Sequence, residues 1–217
     1  ETGKGYPENR SQRSYDQISQ YLCINGNPAT IVLNYTSVAG LTDVTHLGIF
    51  TIAEFSNIPN LVLLAPTNKA EYFAMLDWSI EQQEHPVMIL MPGNGVIDDG
   101  RVAEKDYSNI INKFKVEEKG SKVAILGLGD FYQIGEEVSK MVEEKLGFKP
   151  TLVNPRLASG VDKELLNDLK QDHDLVITLE DGILRGGFGE SIASFYGDYD
   201  IKVKNYGLEK EFYDRYN

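Results

Sequence analysis

NYTSVAGLTDVTHLGIFTIAEFSNIPNLVLLAPTNKAEYFAMLDWSIEQQEHPVMILMP, residues 34–92, is the stretch whose reading decides the fold. An apolar, β-rich run at 29–35 (ATIVLNY) feeds into it, two more such runs (LVLLAP and VMILMP) follow inside it, and helix-patterned segments separate the three. Short apolar runs alternating with helical segments specify an α/β fold with a parallel sheet covered on both faces. Ligands of such sheets sit beyond the carboxyl ends of the strands. The polar, glycine-bearing loop after the first run carries Thr42, Asp43 and His46 and belongs at such an end. A histidine there can shuttle a proton or polarise a substrate oxygen, so His46 is the candidate catalytic residue. Asp43 can orient it or cap the following helix, and the cap is the simpler reading.

Within the same stretch, dense apolar positions from Leu47 to Phe55 predict a short buried helix that stops at Pro59-Asn60. Asn68 with Glu71 three residues on reads as a capping box. Phe73, Leu76 and Ile80 then line one face of a helix ending near Gln83. Upstream, Tyr15, Ile18 and Leu22 fall at helical spacing over 14–24, and Asn25-Gly26-Asn27-Pro28 stops that helix. Residues 1–10 are polar and without periodicity.

Downstream, composition shifts at Pro92, and 93–121 reads as a connector that packs along the surface or adds an edge strand. A second unit fills 122–217. It has strands at 123–128, 151–153, 175–179 and 201–203 and a helix marked by Ile134, Val138, Met141, Val142 and Leu146 and closed by Gly147. A short helix at 163–169, a glycine turn at 186–189 opening another helix near Glu190, and a terminal helix at 209–216 complete it. The expected organisation is thus two small α/β modules: a tail at 1–10, a first domain at 11–92, a connector at 93–121 and a second domain at 122–217.

The 217 residues carry a net charge of −12 and a pI of about 4.7. That argues against nucleic acid or an anionic membrane as partner. The single cysteine, Cys23, allows neither an internal disulfide nor a cysteine zinc site and reads as a small buried hydrophobe. No apolar run approaches the roughly 18 residues of a membrane span, and no signal peptide precedes the first run, so the expected location is the cytoplasm. His85 and His173 have no ligand-type neighbours, and no metal cluster is visible in the sequence. Gly127-Leu128-Gly129 follows a strand but lacks the third glycine at dinucleotide spacing. Gly186-Gly187-Phe188-Gly189 can cradle an anion or let a helix start close to the sheet; the second is the preferred reading.

Tyr15-Asp16-Gln17, Thr45-His46-Leu47-Gly48, Ile58-Pro59-Asn60 and Ala65-Pro66-Thr67 occur in an order and spacing that resemble the pyrimidine-binding domain of the 1-deoxy-D-xylulose-5-phosphate synthases, transketolase-like thiamine-diphosphate enzymes. The second unit, with 125–129 (ILGLG), Asn154-Pro155-Arg156 and Asp162, 176–182 (VITLEDG) and 186–189, is similar to that family's C-terminal domain. The resemblance covers nearly everything from Ser11 onward. It implies joining of a two-carbon unit from pyruvate, with loss of CO2, to glyceraldehyde 3-phosphate, with thiamine diphosphate and Mg2+ as cofactors and a homodimer as the assembly. It gives His46 the place facing the reacting centre, Arg13 a contact to the substrate phosphate, which suits a guanidinium, and Tyr15 a place on the pocket-lining helix.

The chain departs from the family pattern at four places. The loop's aspartate position holds Thr42, with the carboxylate moved to Asp43; Thr42 and Asp43 are therefore carried as substrate-binding candidates. The arginine expected after the third strand is missing from Leu90-Met91-Pro92-Gly93. Polar residues stand where the family has its pyrimidine-stacking phenylalanine, and the diphosphate–Mg2+ motif and catalytic glutamate are absent. Gly3-Lys4-Gly5-Tyr6 resembles the end of the family's preceding domain, so residues 10 and 11 are expected not to be contiguous in the native protein. The expected function is that of part of such a synthase, inactive alone, with another two-carbon transfer or a non-catalytic scaffold as alternatives.

Overall fold

The computed structural model describes residues 6–7, 12–38 and 48–213; Thr42, Asp43 and His46 lie outside the described residues. Two sheets carry the architecture. In the first, β1 (Tyr6–Pro7), β2 (Ala29–Asn34), β3 (Val62–Leu64) and β4 (Pro86–Met91) lie in the order β1-β2-β4-β3, every pair parallel. β2 pairs with β4 along all six of its residues but with β1 only at Leu33 and Asn34. β4, central and buried on both faces, is a continuous apolar run, as a parallel strand between helices must be. β2 stops one residue before the expected end, because Tyr35 turns left-handed (φ 63°) and breaks the extended path.

The helical segment before β2 is a 3-10 turn at Gln12–Ser14, an α turn α1 (Tyr15–Gln17) and a π-helical run at Ile18–Cys23. The short helix after the loop is a 3-10 turn at Gly48–Phe50 running into α2 (Thr51–Phe55). Asn68 caps α3 (Lys69–Glu81) by accepting the Glu71 N–H. The inward face of α3 is Glu71, Met75 and Ser79, whereas Phe73 and Ile80 are 51% and 62% exposed. Of the expected apolar face, Leu76 packs half-buried against the core, while Phe73 and Ile80 turn outward. Small and polar residues approach the sheet instead, and Thr30 Oγ1 donates to the Ser79 carbonyl at 2.9 Å.

The second sheet runs β5-β7-β6-β8-β9, with β5 (Lys115–Glu118), β6 (Lys122–Gly127), β7 (Thr151–Asn154), β8 (His173–Ile183) and β9 (Lys202–Leu208). Only β5, the edge strand contributed by the connector, pairs antiparallel. The helices are α4 (Tyr132–Leu146), α5 (Lys163–Leu169) and α6 (Phe188–Tyr196). In α4 the correction is again partial: Val138 packs as expected on the Ile125–Leu152 cluster. Tyr132, Gly135 and Ser139 face inward, while Ile134, Met141 and Leu146 are exposed. A Cβ at Gly135 would lie 3.3 Å from Leu152 Cδ1, so the glycine sets how closely the helix sits on the sheet. Gly147, at φ 72°, closes the helix as expected.

β8 and β9 are longer than their apolar cores, and no terminal helix forms over residues 209–213. There Phe212 stacks edge-on against Phe50 at 5.8 Å, and Tyr213 packs on the Ile49–Ile183 cluster. The aromatic residues dock one at a time on the Gly48–Phe50 turn rather than sharing a helix face.

The modules are stitched by backbone. Residues 156–159, past the end of β7, run antiparallel to β3: Ala65 N–H donates to Arg156 O and Ala158 N–H to Leu63 O, both at 2.8 Å. This covers the free edge of β3, which would otherwise present unpaired amides. One apolar core runs through both modules, from Leu33 and Leu64 to Leu157, Val176 and Phe188.

Candidate functional site

The carboxyl ends of both sheets meet. The ends of β2, β4 and β3 (Thr36, Leu90, Pro92, Ala65, Pro66) and those of β6 and β8 (Leu128, Gly129, Asp130, Asp181), together with Ile52, line a cavity of about 20 Å³, room for about one water molecule. The chain entering residues 39–47 is fastened at this junction. Thr36 N–H donates to Met91 O at 3.1 Å, Gly93 N–H to Ser37 Oγ at 2.8 Å, and Val38 N–H to Asp181 Oδ1 at 2.9 Å. On the far side, Gly48 and Ile49 are buried. Both described flanks of the 39–47 segment thus sit where ligands of parallel sheets are bound.

Arg13 lies on the exposed turn before α1. Tyr15 is half-buried; its ring centroid is 6.0 Å from that of Phe55, and its hydroxyl donates to Asn57 Oδ1 at 2.9 Å. That hydroxyl joins α1 to the turn after α2. At the end of β4, Pro92 and Gly93 offer backbone and no cation.

The acids absorbed by the fold were missed as a group in the sequence. Glu180 accepts the Phe188 and Gly189 N–H groups, each at 2.8 Å, at the start of α6. Its own carboxylate therefore takes the amides that Gly186–Gly189 could have offered an anion. A Cβ at Gly187 would collide with Glu180 Oε2, which is why small residues stand in this turn. Burial pushes the Glu180 carboxyl up to about 7 despite the two amide donors. Asp181 faces Asp130; burial and that neighbouring carboxyl push Asp181 up to about 8, and burial also raises Asp130. The sequence signal was there: three carboxyls at the ends of adjacent apolar strands, Asp130 after β6 and Glu180-Asp181 within β8.

A further buried network ties the modules. Glu71 accepts Thr67 N–H (2.8 Å), Thr67 Oγ1–H (2.9 Å) and Asn154 Nδ2–H (3.0 Å), and burial raises its pKa. Arg156, left-handed at φ 66°, donates to Glu104 Oε2 at 3.0 Å and to Lys113 O at 2.9 Å. Asp162 caps α5 and accepts Phe114 N–H at 3.0 Å. Asn154, Arg156 and Asp162 thereby clamp the connector. Among the described residues no group of three or more His, Cys, Asp or Glu is placed to hold a metal ion, and no helix is long and apolar enough to cross a membrane.

Comparison with known proteins agrees with this layout. The pattern of the transketolase pyrimidine binding domain matches residues 9–96, and that of the transketolase C-terminal domain matches residues 112–217. A 1-deoxy-D-xylulose-5-phosphate synthase of Lachnoclostridium phytofermentans is 31% identical over 204 residues, covering 93% of this chain and 32% of the relative. One of Synechococcus sp. (strain JA-3-3Ab) is 36% identical over 194 residues, covering 88% of this chain and 29% of the relative. The chain thus spans about a third of the length of the curated relatives it matches. Among solved structures, a split gene transketolase described as an inactive beta4 tetramer superposes with a TM-score of 0.81 at 24% identity, covering 95% of this chain and 66% of that one. At that identity the likeness speaks for the fold.

Proposed function

The chain belongs to the transketolase family, through its pyrimidine-binding and C-terminal domains, and from that premise we propose that it is the corresponding part of a 1-deoxy-D-xylulose-5-phosphate synthase. The reaction so assigned is the decarboxylative joining of pyruvate to glyceraldehyde 3-phosphate. Thiamine diphosphate supplies the carbanion chemistry when bound, with Mg2+ holding its diphosphate. The observation that carries the reading is identity of 31% and 36% to synthases along nearly the whole of this chain, across both domains in order.

In this reading the domain limits are 11–92 and 122–217, joined by 93–121, with 1–10 belonging to a preceding part. His46 faces the reacting centre and holds or moves the proton of the substrate oxygen. Arg13, exposed before α1, receives the acceptor phosphate. Thr42 and Asp43 contact substrate from the same loop, and Tyr15 shapes the pocket from α1. Catalysis then requires the rest of the relatives' length, on the same polypeptide or on another, because this chain spans only about a third of it. The assembly is a homodimer and the location the cytoplasm. The named structural neighbour, a transketolase divided between genes, is a precedent for supply from a second polypeptide.

The test is release of CO2 from carboxyl-labelled pyruvate that depends on glyceraldehyde 3-phosphate. It compares the purified chain alone with the chain mixed with the amino-terminal domain of a curated relative. The expected result is no turnover alone and turnover in the mixture that His46→Ala abolishes. Turnover that prefers unphosphorylated glyceraldehyde would instead favour a different two-carbon transfer, the reading that the arginine-free end of β4 supports. A folded mixture with no turnover and no heat on addition of thiamine diphosphate and Mg2+ favours a scaffold.

A further inference from the structure

Asp181 is 4% exposed, and its Oδ2 meets no hydrogen-bond donor. The group it does meet is the Asp130 carboxyl. Two carboxylates are acceptors only, so neither satisfies the other unless one carries a proton. A water in the adjoining cavity could donate, but it would leave two negative charges in contact with no cation beside them among the described residues. Among the described residues no other ionisable group lines the cavity: Thr36, Ile52, Ala65, Pro66, Leu90, Pro92, Leu128 and Gly129 carry none. On the elements packed around it, Glu180 is turned to the start of α6, Glu54 on α2 stands outside the lining, and the Tyr213 hydroxyl donates to Glu209 O.

The other oxygen, Asp181 Oδ1, accepts the Val38 N–H, the last described group before residues 39–47. Asp130 follows β6, Asp181 lies on β8 in the second sheet, and Val38 continues from β2 in the first. We propose that Asp130 and Asp181 hold one proton between them, and that this proton fastens the junction of the two modules and, through Val38, the point where the chain departs toward its candidate catalytic loop. The device is a pH-sensitive clasp. Deprotonation sets two buried charges against each other and releases Val38, and protonation closes the clasp again.

The test uses the full chain with 13C-labelled aspartate carboxyls, titrated by NMR, and hydrogen exchange at the Val38 amide. Both carboxyl carbons of the pair are expected to report a titration near pH 8, far above the other aspartates. Val38 protection should fall by up to about tenfold per pH unit between roughly pH 5 and 8, then level off, because the closed state holds one proton that the open state releases. In Asp130→Asn the side-chain amide donates to Asp181 permanently, so the high titration disappears and Val38 protection becomes flat with pH. If Asp130→Asn does not fold, Asp181→Asn, which keeps an acceptor for Val38 and gives Asp130 a donor, takes its place with the same readings expected. Wild-type protein with every aspartate titrating in the ordinary acidic range, or a high titration that survives in the variants, overturns the proposal.

Discussion

The two sheets share a parallel plan but finish differently at their carboxyl ends. In the second sheet those ends are filled from within: Glu180 takes the first amides of α6, and Asp181 and Asp130 occupy each other. In the first sheet they end in hydroxyl groups and prolines, Thr36, Ser37, Pro66 and Pro92, and hand the chain to the loop that carries His46. One plan therefore gives a module that uses its ligand end to hold itself together and another that leaves it for a loop. The difference separates structural acids from candidate chemistry better than residue type does, since by type alone the buried carboxyls of the second sheet look the more catalytic.

The largest effect that could break this picture concerns the core the modules share. Leu64, fully buried on β3, bridges Leu157 across the module boundary. Leu64→Ala should cost roughly 2–5 kcal/mol. The single tryptophan, Trp78 on α3, reports on the first module, while circular dichroism reports on both. Urea curves from the two probes should coincide in wild type and variant alike, and separated midpoints would show that the modules unfold independently.

Next in size is Glu180. Its folded pKa of about 7 stands above the ordinary carboxyl value, so the folded state holds a proton that the unfolded chain releases. Its contribution is complete below about pH 4.5 and is lost as pH rises through about 7, some 3 kcal/mol across the window. Glu180→Gln should remove that part of the slope in pH-dependent urea midpoints. A slope that stays unchanged would mean that its charge is offset in both states.

Asn154 tests the seam between the modules. Asn154→Ala strips a donor from the buried Glu71 carboxylate and the acceptor of the Arg156 N–H. A loss of about 1–3 kcal/mol is expected. Because Glu71 is already raised by burial, the loss should grow as pH rises above the ordinary glutamate range, the direction for an acid that keeps its proton only when folded.

The order of elements was legible because apolar runs and stop signals act locally: Asn68 before α3, Gly147 after α4, Pro59 after α2. Burial was less legible. The helix faces against the sheets include, beside Met75 and Tyr132, Glu71, Ser79, Gly135 and Ser139, residues that no hydropathy pattern marks. They face inward because a small side chain permits close approach and a polar one finds a partner that only the folded chain provides, Thr67 and Asn154 for Glu71 and Thr30 for Ser79. The helix expected at 209–216 does not form over the described residues 209–213, where Phe212 and Tyr213 find separate docking places. Of the candidate site, the placing of the flanks of residues 39–47 at the sheets' carboxyl ends was readable from the alternation of strand and helix. The pairing of Asp130 with Asp181 was not, since it depends on residues 51 positions apart being brought together by neighbouring strands.

The smallest expected effect sharpens that point about faces. Phe73 is the bulkiest apolar side chain on the face of α3 that periodicity selects, yet half of it is exposed, and its ring lies edge-on to that of Tyr72 at 5.4 Å. Met75, two positions on, is fully buried. Replacing Phe73 by Ser removes little buried apolar surface and trades one middling helix former for another, so the change in stability should stay within about 0.5 kcal/mol. Met75→Ala at the same ionic strength and protein concentration should cost several times more. If Phe73→Ser proves as costly as Met75→Ala, and the cost shrinks on dilution, the exposed ring is buried against a second molecule in solution. The apolar face of α3 would then have been chosen for association rather than for the core.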